Sequence, residues 1–314
     1  MSIDQGRWQR HRWFNRLQTL LLLLGMVGFL ALLGYLLWGR DGLWALLLMA
    51  LVLLALRPLI APAWVMRVYG AQLLAPTDAP DLYRLVEQLS ARAGLLRLPS
   101  LYFLPSPMVN AFTVGNRRRA TIALSAGLLR YLGPRELAGV LAHEISHIRN
   151  NDIQVMQLAD FIGRMTAVLS LLGLSLLMIN LPLLLFAEES LPLLPLLLLM
   201  FAPHLSLLAQ LGLSRTREFD ADLSAASLTG DPEGLALALL RIEQLQQGGW
   251  ARMLFPGRRL PLPRLLRSHP DNAERARRLL ALRGSERDDG LIWQQAHRLP
   301  ARPVRPWHIS RWWL

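Results

Sequence analysis

The sequence predicts a mainly α-helical membrane protein in which four transmembrane helices carry a cytoplasmic α+β domain. Three observations lead there. Of the 314 residues, 53% are hydrophobic, and the mean hydropathy of +0.30 is too high for a water-soluble chain of this length. The apolar residues are concentrated in four segments, 17–38, 43 to about 66, 167–187 and 191–213, each near the roughly 20 residues that cross a bilayer core as a helix. The polar remainder combines short alternating stretches with a helical run that holds His143-Glu144-Ile145-Ser146-His147. Buried apolar helices of a large soluble core are the alternative to spans, and the segment lengths favour the membrane.

The first segment is preceded by Arg7, Arg10, Arg12 and Arg16, lacks a small-residue cleavage site and is followed at once by the second, so it reads as a retained anchor. Arg57 and Pro58 interrupt the second segment, where Arg57 either ends a short span or snorkels to the interface. Only Glu188, Glu189 and Ser190 join the last two, which therefore form a hairpin. Arg40 is the single arginine between the first two spans, and none lies between the last two. Positive residues stay inside, so both termini and the polar bulk are expected in the cytoplasm. Anionic headgroups account for the net charge of +12 with less assumption than nucleic acid, and a membrane-tethered nucleic-acid binder has only that charge behind it. All 34 basic residues are arginine, which we attribute to coding bias. Cysteine is absent, so disulfides, thiolate nucleophiles and Cys-based metal sites are excluded, and any zinc must be held by histidine and carboxylate.

Between the second and third spans, residues 80–94 read as a helix with Asp81 near its start. Strands follow at 101–104, 109–114 and 120–124, with Gly115 and Asn116 marking the turn. Gly133 and Pro134 open the next helix, because a proline in the first turn gives up no hydrogen bond. Leu137, Val140, Leu141, Ile145 and Ile148 recur at helical spacing, which places His143 and His147 on one face a turn apart, as two imidazoles sharing one metal ion require. Glu144 is displaced around the helix, where it can hold the attacking water without being a ligand. The five residues alone leave open a half-buried helix with two hydrogen-bonded histidines. Beyond the fourth span we expect helices at 214–228, ending at Gly230, and from Asp231 and Pro232 to about 247. A loop at 248–266, a helix at 271–283 and an irregular tail complete the chain.

A catalytic zinc takes three protein ligands and keeps a fourth position open. Glu188 and Glu189 lie across the membrane from the histidines. The strongest candidate is Glu218, just past the fourth span, with Asp222 four residues on, placed to accept the outward N–H of a ligating histidine. A solvated acidic helix with Arg215 and Arg217 as salt partners remains the alternative reading of that stretch, as does Asp222 as the ligand.

"VNAFTVGNRRRATIALSAGLLRYLGPRELAGVLAHEISHIRNND", the apolar hairpin, "SRTREFDAD" and "SHPDNAER", in that order, resemble the HtpX-type membrane zinc metalloproteases, relatives of the CAAX prenyl proteases. The resemblance runs from about residue 17 to 282. It implies that His143, His147 and Glu218 bind one Zn2+ per chain, that Glu144 is the catalytic base and that Asp222 supports a ligand. It further implies that Asn110, Ala111 and Phe112 line a substrate groove and that His269 and Arg275 help hold substrate or the developing oxyanion. An arginine-rich helix such as "ERARRLLALR" reads equally well as a solvated face.

The expected organisation is an arm with two transmembrane helices (1–66), the first part of a zincin-like protease domain (67–166), a transmembrane hairpin (167–213), the second part of the protease domain (214–284) and a basic, aromatic tail (285–314). The expected function is zinc-dependent endoproteolysis of membrane or membrane-associated polypeptides in quality control, with an edge strand near Asn110 or residues 120–124 pairing with extended substrate. A specific processing protease and a catalytically silent membrane scaffold are the rivals. His204, inside the fourth span, is expected to pack and hydrogen-bond there, and the Arg/Trp tail to anchor at the interface.

Overall fold

The structure, a computed structural model, describes residues 5–56, 62–186, 193–254 and 272–283. The chain divides into two compact units, one of Arg16–Leu59 with Val155–Thr216, the other of Met1–Asn15, Ile60–Gln154 and Arg217–Leu314.

The first unit is helical. Helix α1 (Gln5–Leu56) is broken at Trp38 (φ −135°, ψ 17°) and at Gly39, whose φ of 58° lies in the left-handed region that glycine enters without steric cost. The chain doubles back there. Gly34 and Gly42 meet across the fold, so closely that a Cβ on Gly42 would stand 2.1 Å from the Gly34 carbonyl oxygen. Small residues let helix backbones approach in this way. Helix α6 (Asp152–Phe186) from Val155 on and helix α7 (Leu193–Thr229) as far as Thr216 complete the unit. Its interior is Met26, Ala159, Ile162 and Leu213 at one level and Leu33, Leu169, Leu199 and Ala202 at another. Leu21, Leu24, Leu171, Met178 and Ile179 lie exposed on the outside, as a lipid-facing surface requires.

Among the described residues, helices over Trp13–Leu46, Asp152–Ile179 and Leu197–Thr229 are long and apolar enough to cross a membrane. The expected second span falls on the returning arm of α1, described as far as Leu56, while Arg57 and Pro58 lie outside the described residues. That span does not reach Met66, which is buried in α2 (Pro62–Val68), a helix that belongs to the other unit and packs on the sheet there. The Glu188–Ser190 link also lies outside the described residues. The separate helix expected at 214–228 is the uninterrupted continuation of α7, and it ends where expected, at Gly230 with φ 69°.

The second unit holds a four-stranded sheet of order β1(Gln72–Leu73)-β2(Ser100–Leu104)-β4(Arg119–Ser125)-β3(Ala111–Asn116). β2 and β4 run parallel, and the other pairs are antiparallel. The two-residue β1 went unforeseen, being too short to show alternation. The β3–β4 turn is Arg117–Arg118 rather than Gly115–Asn116, because the Asn116 side chain accepts from the backbone N–H of Arg118 and Arg119 at 2.9 and 3.1 Å and folds the chain just beyond itself. β4 is interior, so the expected edge pairing at 120–124 is corrected: among the described residues β3 is the edge strand on that side.

Helix α3 (Pro80–Ala93) ends at Gly94 with φ 68°. A short α4 (Ala126–Tyr131), unforeseen, is capped by Ser125, whose hydroxyl accepts from Leu128 N–H. Helix α5 (Pro134–Asn150) opens at proline, with Gly133 N–H donating to the Glu136 carboxylate at 2.7 Å, and closes at Asn151 with φ 58°. α8 (Pro232–Leu254) runs past the expected end at 247, and the rest of the expected 248–266 loop lies outside the described residues. α9 (Asn272–Leu280) is followed by a 3-10 turn at Ala281–Arg283. Leu137, Leu141 and Ile145 of α5 sit in one core with Ile122 and Leu124 of β4, Leu235 of α8 and Leu279 of α9.

α5 and α8 touch backbone to backbone at Gly139, where an added Cβ would lie 2.9 Å from Leu235 Cα. Gly139→Val therefore has to part the helices. It is expected to lower unfolding stability by about 1–3 kcal/mol, read as a lowered transition in detergent, the cost of overpacking a filled core.

Candidate metal centre

The helical repeat of α5 puts Leu137, Leu141 and Ile145 in the core and turns His143 and His147 together toward a cleft. Their Nε2 atoms stand 3.0 Å apart. Glu218, on α7, brings its carboxylate to 3.4 Å from His143 Nε2 and 3.9 Å from His147 Nε2. Among the described residues these three form the cluster able to hold a metal ion, with all donor atoms within 4.8 Å of one another.

Each imidazole is oriented from behind. His143 Nδ1 is 3.0 Å from Asp222 Oδ1, and His147 Nδ1 is 2.8 Å from Asp152 Oδ2. A carboxylate at Nδ1 keeps the ring proton there and leaves a lone pair on Nε2. Both Nε2 atoms and the Glu218 carboxylate then converge on one point, a donor set that fits a cation. Burial opposes charging His143, but the carboxylates of Asp222 and Glu218 outweigh it and raise its pKa to about 10, so the surroundings that favour a proton on the ring also favour a cation in its place.

Each supporting carboxylate is itself held by an arginine. Arg275 of α9 donates from Nε and Nη2 to Asp222, both at 2.7 Å, and its Nη1 lies 3.1 Å from Glu218. Burial works against that charge, yet Asp222 raises the pKa of Arg275 further above the usual arginine value. Arg217 donates from Nε to Asp152 at 2.6 Å and from Nη2 to Asp220 at 3.2 Å. Arg217 and Glu218 are 6% and 8% exposed, which rules out the solvated acidic helix as a reading of this stretch. One turn beyond Arg275, Arg278 stacks on Phe219 at 3.7 Å, so α9 grips α7 twice.

Glu144, 7% exposed, faces the same cleft, and Thr113 Oγ1 donates to its Oε2 at 2.5 Å. The cleft encloses about 410 Å³, and Asn110, Ala111 and Phe112, along β3 and its approach, are among the residues that line it. Phe112 also meets the ring of Tyr69 at 5.3 Å. Arg275 lines the cleft too, whereas His269 lies outside the described residues, as does the 285–314 tail. His204 is exposed on α7 beside Phe201, at 6.3 Å between rings, rather than packed as expected.

Sequence reasoning missed Asp152 and Thr113, and offered Arg217 only as a solvated salt partner. Asp152 had a readable signal, an acidic residue just past the end of the histidine helix, and the left-handed Asn151 folds it back to His147. Thr113 had none, since 31 residues separate it from Glu144.

An HExxH helix whose two histidines share a point with a glutamate from another helix defines a class, the metallopeptidases. Peptidase family M48 matches over residues 76–283, and a Protease HtpX homolog of Acaryochloris marina is 41% identical over 229 residues, 68% of this chain and 76% of the relative. A protein of the same name from Ralstonia nicotianae is 32% identical over 291 residues, 85% of this chain and 96% of that one. The chain belongs to peptidase family M48 and is an HtpX-like membrane metalloprotease. The crystal structure of S. mikatae Ste24p is also similar, with a TM-score of 0.48 at 23% identity over 85% of this chain and 66% of that one.

Asp152→Asn keeps the shape of the side chain but weakens a charge-assisted bond to His147. Metal affinity, titrated against a chelator, is expected to fall by about 10- to 100-fold.

Proposed function

We propose that the chain is a zinc endopeptidase of the bacterial cytoplasmic membrane that cleaves membrane or membrane-associated polypeptides on the cytoplasmic side, in protein quality control. The observation that carries this is the convergence of His143 Nε2, His147 Nε2 and Glu218 on one point, with both Nδ1 atoms held by carboxylates. Two imidazoles and one carboxylate, without thiolates, suit zinc and leave a coordination position open. When bound, such an ion supplies Lewis acidity, polarising a carbonyl and making a water acidic near neutral pH.

In this reading Glu144 takes a proton from the attacking water as its oxygen adds to the carbonyl carbon. It then delivers that proton to the nitrogen as the C–N bond breaks. Asp222 and Asp152 fix the imidazoles, and Arg275 holds Asp222 and Glu218 in place. Substrate lies extended along β3, the edge strand at the cleft, through main-chain hydrogen bonds indifferent to sequence, which suits broad substrate choice. A more selective processing protease is the second reading, favoured by the apolar wall of Leu128, Val140, Leu235, Leu239 and Ile242 in the same cleft.

The fold-back of α1 at Gly39 supports four spans over three, and the arginine distribution supports cytoplasmic termini. Reporters inserted at Glu189 and fused after Leu314 are expected on opposite sides of the membrane; both on one side would exclude this topology.

Glu144→Gln removes a base and no ligand, so the purified variant is expected to keep its zinc and lose casein cleavage. Undiminished cleavage would overturn the mechanism.

A further inference from the structure

We propose that Thr113 is a positioning residue for Glu144, so that the strand offered to substrate also aims the base. Thr113 sits in β3, paired with Ile122 of β4, and β4 is the only strand beside it among the described residues. Its hydroxyl donates to Glu144 Oε2 at 2.5 Å, within the cleft that both residues line. A glutamate carboxylate turns broadly about its last bond, whereas a β-branched threonine has few side-chain settings, so the backbone of β3 dictates where the hydroxyl points. With Oε2 held, Oε1 is the oxygen left for a water. β3 also packs on α5, the helix that carries Glu144. A peptide added to the free edge of β3 therefore orders the same strand whose side chain fixes the carboxylate, and substrate engagement is coupled to alignment of the base.

This rests on the reading of Glu144 as the base. A merely structural Thr113 would fill space in the fold, and its loss would disturb metal or substrate binding along with turnover. Thr113→Val keeps the shape and removes the donor; Thr113→Ser keeps the donor. Each full-length variant is purified in detergent and assayed for zinc content, for kcat and KM on a casein-derived peptide, and, in the Glu144→Gln background, for affinity toward that labelled peptide. Thr113→Val is expected to lower kcat by about 10- to 100-fold, as a misaligned catalytic group does, with zinc content, KM and peptide affinity unchanged. Thr113→Ser is expected to recover most of that kcat. Wild-type kcat in Thr113→Val, with Glu144→Gln inert, would overturn the proposal and leave Glu144 as the base. A loss matched by weakened zinc or peptide binding, or one that serine does not repair, would overturn it in favour of a structural role. Activity retained by Glu144→Gln would remove the base reading and this proposal together.

Discussion

Two imidazole lone pairs and a carboxylate aimed at one point repel one another unless a cation lies among them, and much of the second unit is arranged to keep them aimed. His143 and His147 come from one helix and Glu218 from another, so the point exists only while α5 and α7 are held in register. Two parallel chains of contact do this. His143 leans on Asp222 and Arg275, and His147 on Asp152 and Arg217. In each chain the carboxylate fixes the tautomer of the ring, and the arginine keeps the carboxylate from turning away. All four supporting side chains are buried. Removing one partner would strand a charge in a low dielectric, which is far more costly than losing an exposed ion pair.

The second constraint is the close approach of α5 to α8. Without a side chain at Gly139 the two backbones touch, which sets the histidine face of α5 over the cleft and gives the cleft its apolar wall from Leu235 and Leu239. The same economy appears in the helical unit, where Gly34 and Gly42 let α1 fold on itself. The long α6 and α7 each serve two purposes along their length. Their apolar portions bury Leu169, Leu199 and Ala202, while the first residue of α6 and the last turns of α7 supply Asp152, Glu218 and Asp222.

The sequence made local features legible and hid the long-range ones. The histidine pair followed from helical spacing, the start of α5 from Pro134 and the end of α7 from Gly230, because each depends on residues within a turn of one another. Glu218 and Asp222 could be proposed from their place after an apolar run, since four residues on a helix share a face. Arg275 entered only through resemblance, and nothing local distinguishes it from Arg277 or Arg278 two and three residues on. Burial separates them, since Arg275 is 5% exposed while its neighbours face solvent. The mistaken turn at Gly115–Asn116 came from reading glycine as a breaker; at φ 107° it stays within β3, and the Asx contact of Asn116 bends the chain later. The merging of helices at residue 214 was hidden for a related reason. A change from apolar to charged composition marks a change of surroundings, and α7 crosses that change without leaving its helical hydrogen bonds.

The bracing of the site asks for a particular cation. Arg275 engages Asp222 through Nε and Nη2 and Glu218 through Nη1, so one planar fork holds a ligand candidate and the support of another at once. A lysine ammonium, a point charge on a flexible stem, could approach either carboxylate but could not fix both in a plane. A guanidinium also keeps its charge under complete burial, whereas an ammonium in the same place would tend to release its proton. The chain's lack of lysine does not explain this choice; the geometry would demand arginine in any composition. The centre is therefore rigid because its charges are shared in threes: two carboxylates to one guanidinium at Arg275, and two again, Asp152 and Asp220, at Arg217. Such an arrangement leaves the imidazoles little freedom to swing apart, which is what a donor set needs if it is to stay in place before its ion arrives.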